Sequence, residues 1–389
     1  MAGRSARSPH GETGVRPSDR DRNRGRSGSG PGLPGAAVPA GTDWLVRGKD
    51  GRLTAYAAVE DAVLRWTEAH PGGPGWSGPD TIPAPGNDPY LCIAQGADAY
   101  VHLVGLRRTR GAGGKPATEV VCALQYQSGL AVRSWETVGN PFPDDPEAAA
   151  RIGPPTAVVD TTGSLHVFVA DPGGGVRHRA QVASGKWNRW ADLGGLRITG
   201  RVSTALLDDG LMELLAPTPR HLMRWTQPGR GVKFVRAADI PAAPEPDSLS
   251  RVATAPGRLT HVWHDRGDRT VRTWRAGPDE AAADPAPLGG PGGSGPVALL
   301  RTPVDGHDCT VMVRRDEATG RPAIAAYPTE EEPLGASWTL TGDPCLGAPA
   351  LALDGRGRVV VAAFGTDGTL RVARQKSEPG LALDAWTAV

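Results

Sequence analysis

The chain lacks the short motifs from which catalytic and metal sites are usually read. It has no G-x-S-x-G elbow, no H-E-x-x-H, no Walker loop, no EF-hand loop and no Ser-x-Asp-x-Gly-x-x-Trp turn of the sialidase type. Spacing alone therefore assigns no nucleophile, phosphate cradle or cation loop. Charge of one sign is lacking too: 43 basic and 42 acidic residues leave a net +1, which gives no electrostatic footprint for nucleic acid or an anionic membrane. No apolar run reaches the length of a membrane span. Aromatics are only 5% of residues, and 11 of them are Trp, so any core must be built from small aliphatic side chains with a few large wedges.

What is abundant is turn chemistry, with Gly 53 and Pro 37. Between Pro154 and Gly195 it separates four short runs. Thr156-Ala-Val-Val-Asp160 is followed by a Thr-Thr-Gly turn, then Leu165-His-Val-Phe-Val169. An Asp171-Pro-Gly-Gly-Gly175 turn leads to Val176-Arg-His-Arg-Ala180, and Trp187 and Trp190 precede Leu193-Gly194-Gly195. This is one antiparallel four-stranded meander. Laying other stretches on Leu165 puts Leu53, Tyr100, Leu211, Leu259, Val359 and, approximately, Cys309 in register. About seven copies result, spaced by roughly 45–50 residues, the range of four-stranded propeller blades. One copy cannot bury both its faces, so the copies must stack in a ring. The expected fold is all-β: a seven-bladed β-propeller of four-stranded antiparallel blades over residues 42–389, preceded by an Arg/Gly/Ser/Pro-rich tail, 1–41, expected to be disordered.

Trp76, Trp135, Trp190, Trp338 and Trp386 mark the fourth strands, where a large ring fills the wedge opening between blades. Blades four and five offer Phe234 and Leu288 instead, so their outer strands should be the least regular. A complete first strand at Trp44–Arg47 and a complete last one at Trp386–Val389 leave no strand to swap, so closure must rest on packing of the last blade against the first. The largest insertions, 107–118 and 140–153, should emerge side by side on one face. The first carries Arg107, Arg108, Arg110 and Lys115, the second Asp144, Asp145 and Glu147; they suit either a ligand lid or a salt-bridged pair of solvated loops. Of the four cysteines, Cys92 and Cys122 fall on the first and third strands of one blade, roughly 9–10 Å apart and beyond disulfide reach. Free buried thiols are expected for these and for Cys309 and Cys345. With the lack of an apolar signal core, that favours a cytoplasmic location or export without a cleavable signal.

Third strands repeat an arginine at Arg65, Arg177, Arg224, Arg272 and Arg371, with Trp66, His178 and Trp225 adjacent to the first three. An Arg beside an aromatic suits a sugar, the ring covering C–H faces and the guanidinium meeting hydroxyls; it equally suits blade packing. His102, His261 and Glu213 share one slot on second strands. They are zinc-competent types, but equivalent slots in stacked sheets lie roughly 10 Å apart, so buried hydrogen-bonded polar residues are expected and no metal or cofactor. The small apolar first strands, such as Ala157-Val-Val159, disfavour a catalytic channel along the axis.

The run Gly163-Ser-Leu-His-Val-Phe-Val-Ala-Asp171, Gly175-Val-Arg-His-Arg-Ala180, Trp187-Asn-Arg-Trp190-Ala-Asp-Leu-Gly-Gly195 resembles the repeat of bacterial seven-bladed propeller lectins related to fucose-binding and tectonin-type propellers. The resemblance implies a non-catalytic glycan-binding propeller with sites between blades. Arg65, Trp66, Arg177, His178, Arg224 and Trp225 are the ligand-binding candidates. The alternatives are an interaction or assembly scaffold that docks a protein, and an enzyme of secondary metabolism with a pocket on the insertion-bearing face. Ligand identity and oligomeric state do not follow from the residues.

Overall fold

The computed structural model describes residues 38–110, 114, 116–277, 284–290 and 292–389. The tail up to residue 37 and Lys115 lie outside them. Seven antiparallel sheets follow one another along the chain, each with strands in sequential order. They occupy residues 45–83, 92–139, 156–194, 203–241, 250–289, 298–340 and 345–388. Blade three is built of Thr156–Val159, Leu165–Ala170, Val176–Ala180 and Ala191–Gly194. Its turns follow from their residues. Asp160 Oδ1 accepts from the backbone N–H groups of Thr162 and Ser164, and Asp171 Oδ1 from those of Gly173 and Gly175. Gly163 and Gly174 take the left-handed conformation, at φ 83° and 82°, that these tight Asx-type turns need.

A second device fixes the start of the second strand in four blades. The Leu53, Leu165, Met212 and Val359 N–H groups donate to Glu68, Gln181, Gln227 and Gln375 at the end of their blade's third strand. The equivalent of Leu165 in blade four is therefore Met212, not Leu211. In blade two it is Val101, not Tyr100, because Val101 pairs with Gln95 as Leu165 pairs with Val159.

Apolar clusters sit between blades rather than within them. Val104, Leu106 and Val120 of blade two pack with Leu165, Val167 and Val169 of blade three; Phe168 packs with Met212 and Leu214 of blade four. Each such side chain, fully buried, contributes roughly 1.5–3 kcal/mol, and it does so only with its neighbour in place. The fourth-strand tryptophans are half-buried and lean on the preceding blade. Trp135 Nε1 donates to Pro83 O at 3.0 Å, and Trp386 Nε1 to Thr341 Oγ1 at 2.9 Å. Irregular outer strands do not track loss of this Trp. Blade four's is split into Val235–Arg236 and Ile240–Pro241, but blade five keeps Ala286–Gly289, while blades six and seven have only two residues each.

Among the described residues closure is by side chains, with no exchanged strand. Phe364 of blade seven packs at a tilt against Trp44 and Trp66 of blade one, with ring centroids 5.0 and 5.3 Å away. Trp44 Nε1 donates to Ala348 O at 3.0 Å, and Arg374 Nη2 to the buried Glu68 Oε1 at 2.7 Å. Residues 38–43 form a strap over the start of the axis. Ala348 N–H donates to Pro39 O at 3.1 Å, and Arg201 of blade four donates to Ala40 O at 2.5 Å. Gly347, at φ 64°, admits Pro39 so closely that any Cβ there would collide with it.

The insertions do meet, on the face that carries the crossovers between blades. The first is a strand extension rather than a loop, Val101–Arg110 pairing with Pro116–Gln125. The second holds a short helix, α1 (Pro146–Ala150), capped by Asp145. Arg108 Nη1 donates to Ala150 O at 3.0 Å and Asn140 Nδ2 to Thr118 O at 2.8 Å. The arginines pair with Glu119 and Asp88, not with the acids of the second insertion.

Two measurements follow from this packing. Phe364→Ala should cost ~3–5 kcal/mol in denaturant unfolding, as expected for a truncated buried ring; a loss under about 1 kcal/mol would show the seam to be closed by other means. All four cysteines are free, and burial pushes their thiols up, to about 12 for Cys122 and about 11 for Cys92 and Cys345. Thiol reagents at neutral pH should label the native chain slowly and the denatured chain rapidly.

Candidate ligand-binding site

The five third-strand arginines do not share a register. Arg177, Arg272 and Arg371 pair across to Val169, Trp263 and Ala363, whereas Arg65 and Arg224 pair to Tyr56 and Leu215, one position on, the place of His178. One position in a strand reverses the face. Arg65, His178 and Arg224 therefore look toward the following blade, while Arg177, Trp66 and Trp225 look toward the preceding one. Arg65 donates to Leu130 O and pairs with Asp80; Trp66 packs at a tilt against Phe364. His178 stacks on Phe168 at 4.6 Å and hydrogen-bonds His166 at 3.1 Å. Trp225 Nε1 donates to Leu193 O at 2.9 Å. Each adjacent Arg and aromatic is thus split across a sheet. Arg177 alone meets an aromatic in an open cleft, lying 5.2 Å from the Phe142 ring centroid, but Asp171 and Asp192 already hold its guanidinium.

A different cleft, of about 340 Å³, opens between blades two and three on the face opposite the insertions. It is assembled from the turn and strand ends around Asp98, Tyr100 and His102, from Tyr126, Arg133 and Glu136, and from Thr162, Gly163 and Gln181 across the gap. Tyr100 and Tyr126 meet edge to face, with centroids 4.8 Å apart at 84°. Tyr126 is 38% exposed. Arg133 Nη1 donates to the Tyr126 hydroxyl at 2.9 Å, and its other end reaches Glu136 only at 4.0 Å, so much of its donor capacity is free. Burial lowers His102 to about 4, leaving a neutral imidazole in the lining. Of these residues only His102 had been weighed from sequence, as a zinc-competent type, and none as a sugar ligand. The available signal was that two of only five tyrosines fall at strand ends of one blade.

Glu213 and His261, expected to be held apart, meet. His261 Nε2 lies 2.5 Å from Glu213 Oε1, while Arg224 donates to Oε2 from Nε and Nη2 at 2.9 and 2.7 Å. Glu213 is the residue after Met212 but His261 is two after Leu259, so they point toward each other across the gap between blades four and five. Burial alone would raise the Glu213 carboxyl, but the His261 hydrogen bond and the Arg224 charge bring it down to about 2. Breaking such a buried pair is strongly destabilising, so Glu213→Gln should cost ~3–5 kcal/mol at neutral pH. Burial also depresses His102 and His264 to about 4 and His178 to about 3, from 6.5. The unfolded chain then binds more protons, so the stability they supply is complete above pH 6.5 and is lost as pH falls toward 3–4. Glu213 adds a further loss between 4.5 and about 2. Denaturation midpoints followed from neutral to acid pH should decline through both windows; a flat profile would contradict the assignment.

No protein-family model matches the sequence, and no curated protein matches it. Solved structures do. A polysaccharide lyase of family PL25, ulvan lyase, superposes with a TM-score of 0.51 over 90% of this chain and 93% of its own, at 11% identity. The fucose-binding lectin of Aleuria aurantia, a six-bladed propeller, gives 0.46 over 76% and 95% at 13% identity. The lectin SapL1, solved with α-methyl fucoside, gives 0.44 over 91% and 96% at 15% identity. In architecture the chain is a seven-bladed β-propeller of four-stranded antiparallel blades, similar in fold to the ulvan lyase.

Proposed function

We propose that the chain is a non-catalytic carbohydrate-binding propeller and that the cleft between blades two and three holds the sugar. The observation that carries this reading is the half-exposed Tyr126 ring beside an under-used guanidinium, Arg133, and two carboxylates, Asp98 and Glu136. A pyranose offers an apolar C–H face, which a tyrosine ring covers, and hydroxyls that both donate and accept, which a mixed Arg and carboxylate lining satisfies. Two carboxylates against one guanidinium favour a neutral sugar over an acidic one. His102, neutral at physiological pH, serves as a hydrogen-bond partner rather than as a proton donor. The ulvan lyase with its related fold also handles polysaccharide.

A titration of the full chain with neutral mono- and oligosaccharides, fucosylated ones included, should show saturable binding. Tyr126→Ala and Arg133→Ala should each weaken it roughly tenfold or more, about 1.4 kcal/mol, while Arg177→Ala leaves it unchanged. Absence of binding by any neutral glycan, or full affinity in Tyr126→Ala, overturns the proposal. Release of cleaved sugar products would overturn its non-catalytic part.

A further inference from the structure

Exposed large apolar side chains are not spread evenly over the ring. Among the described residues there are nine, and five of them, Tyr126, Leu130, Val182, Val232 and Leu334, lie on hairpins that join a third strand to a fourth. Sequential antiparallel strands put every such hairpin on one side of the disc, opposite the crossovers and the two insertions. A single exposed apolar residue needs no explanation, but a set gathered on one side does.

Charge divides these hairpins. Those of blades two, three and four, residues 126–135, 181–190 and 227–236, hold six Lys or Arg and no Asp or Glu. That of blade six, 329–338, holds Glu330, Glu331 and Glu332. The even charge of the whole chain is thus unevenly placed, and three adjacent blades make a basic sector. Leu130, Val182 and Val232 stand in it, 52, 46 and 48% exposed. Arg230 and Arg236 are tied to Asp209 O and to Asp239. Lys186, Arg189 and Lys233 are exposed and, among the described residues, form no side-chain hydrogen bond or ion pair. The acids of the same side do not stand on these tips. Asp98, Asp208 and Asp209 belong to turns between first and second strands, inward toward the axis, and Glu136 follows the hairpin beside Arg133.

An occupant must meet cations and aliphatic tips together. A polyanion would use the cations and leave the tips in water. A folded protein would need one continuous apolar centre, whereas these tips stand on three sheets ~10 Å or more apart, with polar residues between them. A bilayer interface is planar and fluid, so it accepts separated tips, and its anionic headgroups take the lysines, whose long stems keep the charge at headgroup level.

We propose that the basic sector of blades two to four docks on an anionic lipid surface, with Leu130, Val182 and Val232 dipping between the headgroups and Lys186, Arg189 and Lys233 paired to their phosphates and carboxylates. The acidic hairpin of blade six is repelled, so the disc meets the surface tilted, on this sector alone. The patch borders the sugar cleft but uses other side chains, so the inference stands or falls apart from the glycan reading.

The test is co-sedimentation of the full chain with vesicles of phosphatidylcholine alone and of an equal mixture of phosphatidylcholine and phosphatidylserine, neither carrying sugar. The chain should bind the mixed vesicles, and added salt should weaken the binding. The triple variant Leu130→Ser, Val182→Ser, Val232→Ser and the double variant Lys186→Glu, Lys233→Glu should each weaken it roughly tenfold or more, with unfolding midpoints unchanged because all five side chains are exposed. Leu196→Ser, which removes an exposed leucine from the other side of the disc, should bind as the unaltered chain does. No binding of the mixed vesicles overturns the proposal. So does undiminished binding in the triple variant, which marks attachment by charge alone, whether of this sector or of the Arg-rich tail. Lipid-free self-association that the triple variant abolishes marks a second copy as the occupant and overturns it too.

Discussion

Every blade has two apolar faces and no means of covering either within itself. The clusters joining Val104 to Leu165, Phe168 to Leu214 and Trp66 to Phe364 are all shared between sheets, so the free energy of each blade is held in common with its neighbours. From this follow the ring, the need to close it without a spare strand, and the placing of large rings where sheets diverge. The polar seams obey the same rule. Glu213 is satisfied from both sides of its gap, and Glu68 takes Arg374 from the far end of the chain.

The ring was legible from sequence because its turns are chemical. An Asp that accepts backbone N–H groups, followed by Gly in a left-handed conformation, can be read from letters alone, as at Asp160 to Gly163. Register was harder. In a strand a slip of one residue moves a side chain to the other face, and Tyr100, Leu211, Arg65 and Arg224 each fell one place out. The error is small in sequence and large in space: it paired Arg65 with Trp66, which face different blades, and separated Glu213 from His261, which touch.

The candidate cleft shows the complementary limit. Asp98, Tyr126, Arg133, Thr162 and Gln181 come from five stretches in two blades, and nothing in their spacing joins them until the sheets stack. The first strands line the axis mostly with small apolar side chains, and Arg251 stands where that pattern breaks. Such breaks, in a repeat otherwise governed by packing, are where function is to be sought.

The strap gives the molecule a polarity that its near-symmetric ring would not have. Val38 lies at the axis mouth and is 55% exposed, while the cleft between blades two and three opens on the reverse face. The two sides of the disc are thereby unlike, one crossed by a strap over its hub and the other cut by a cleft near its rim.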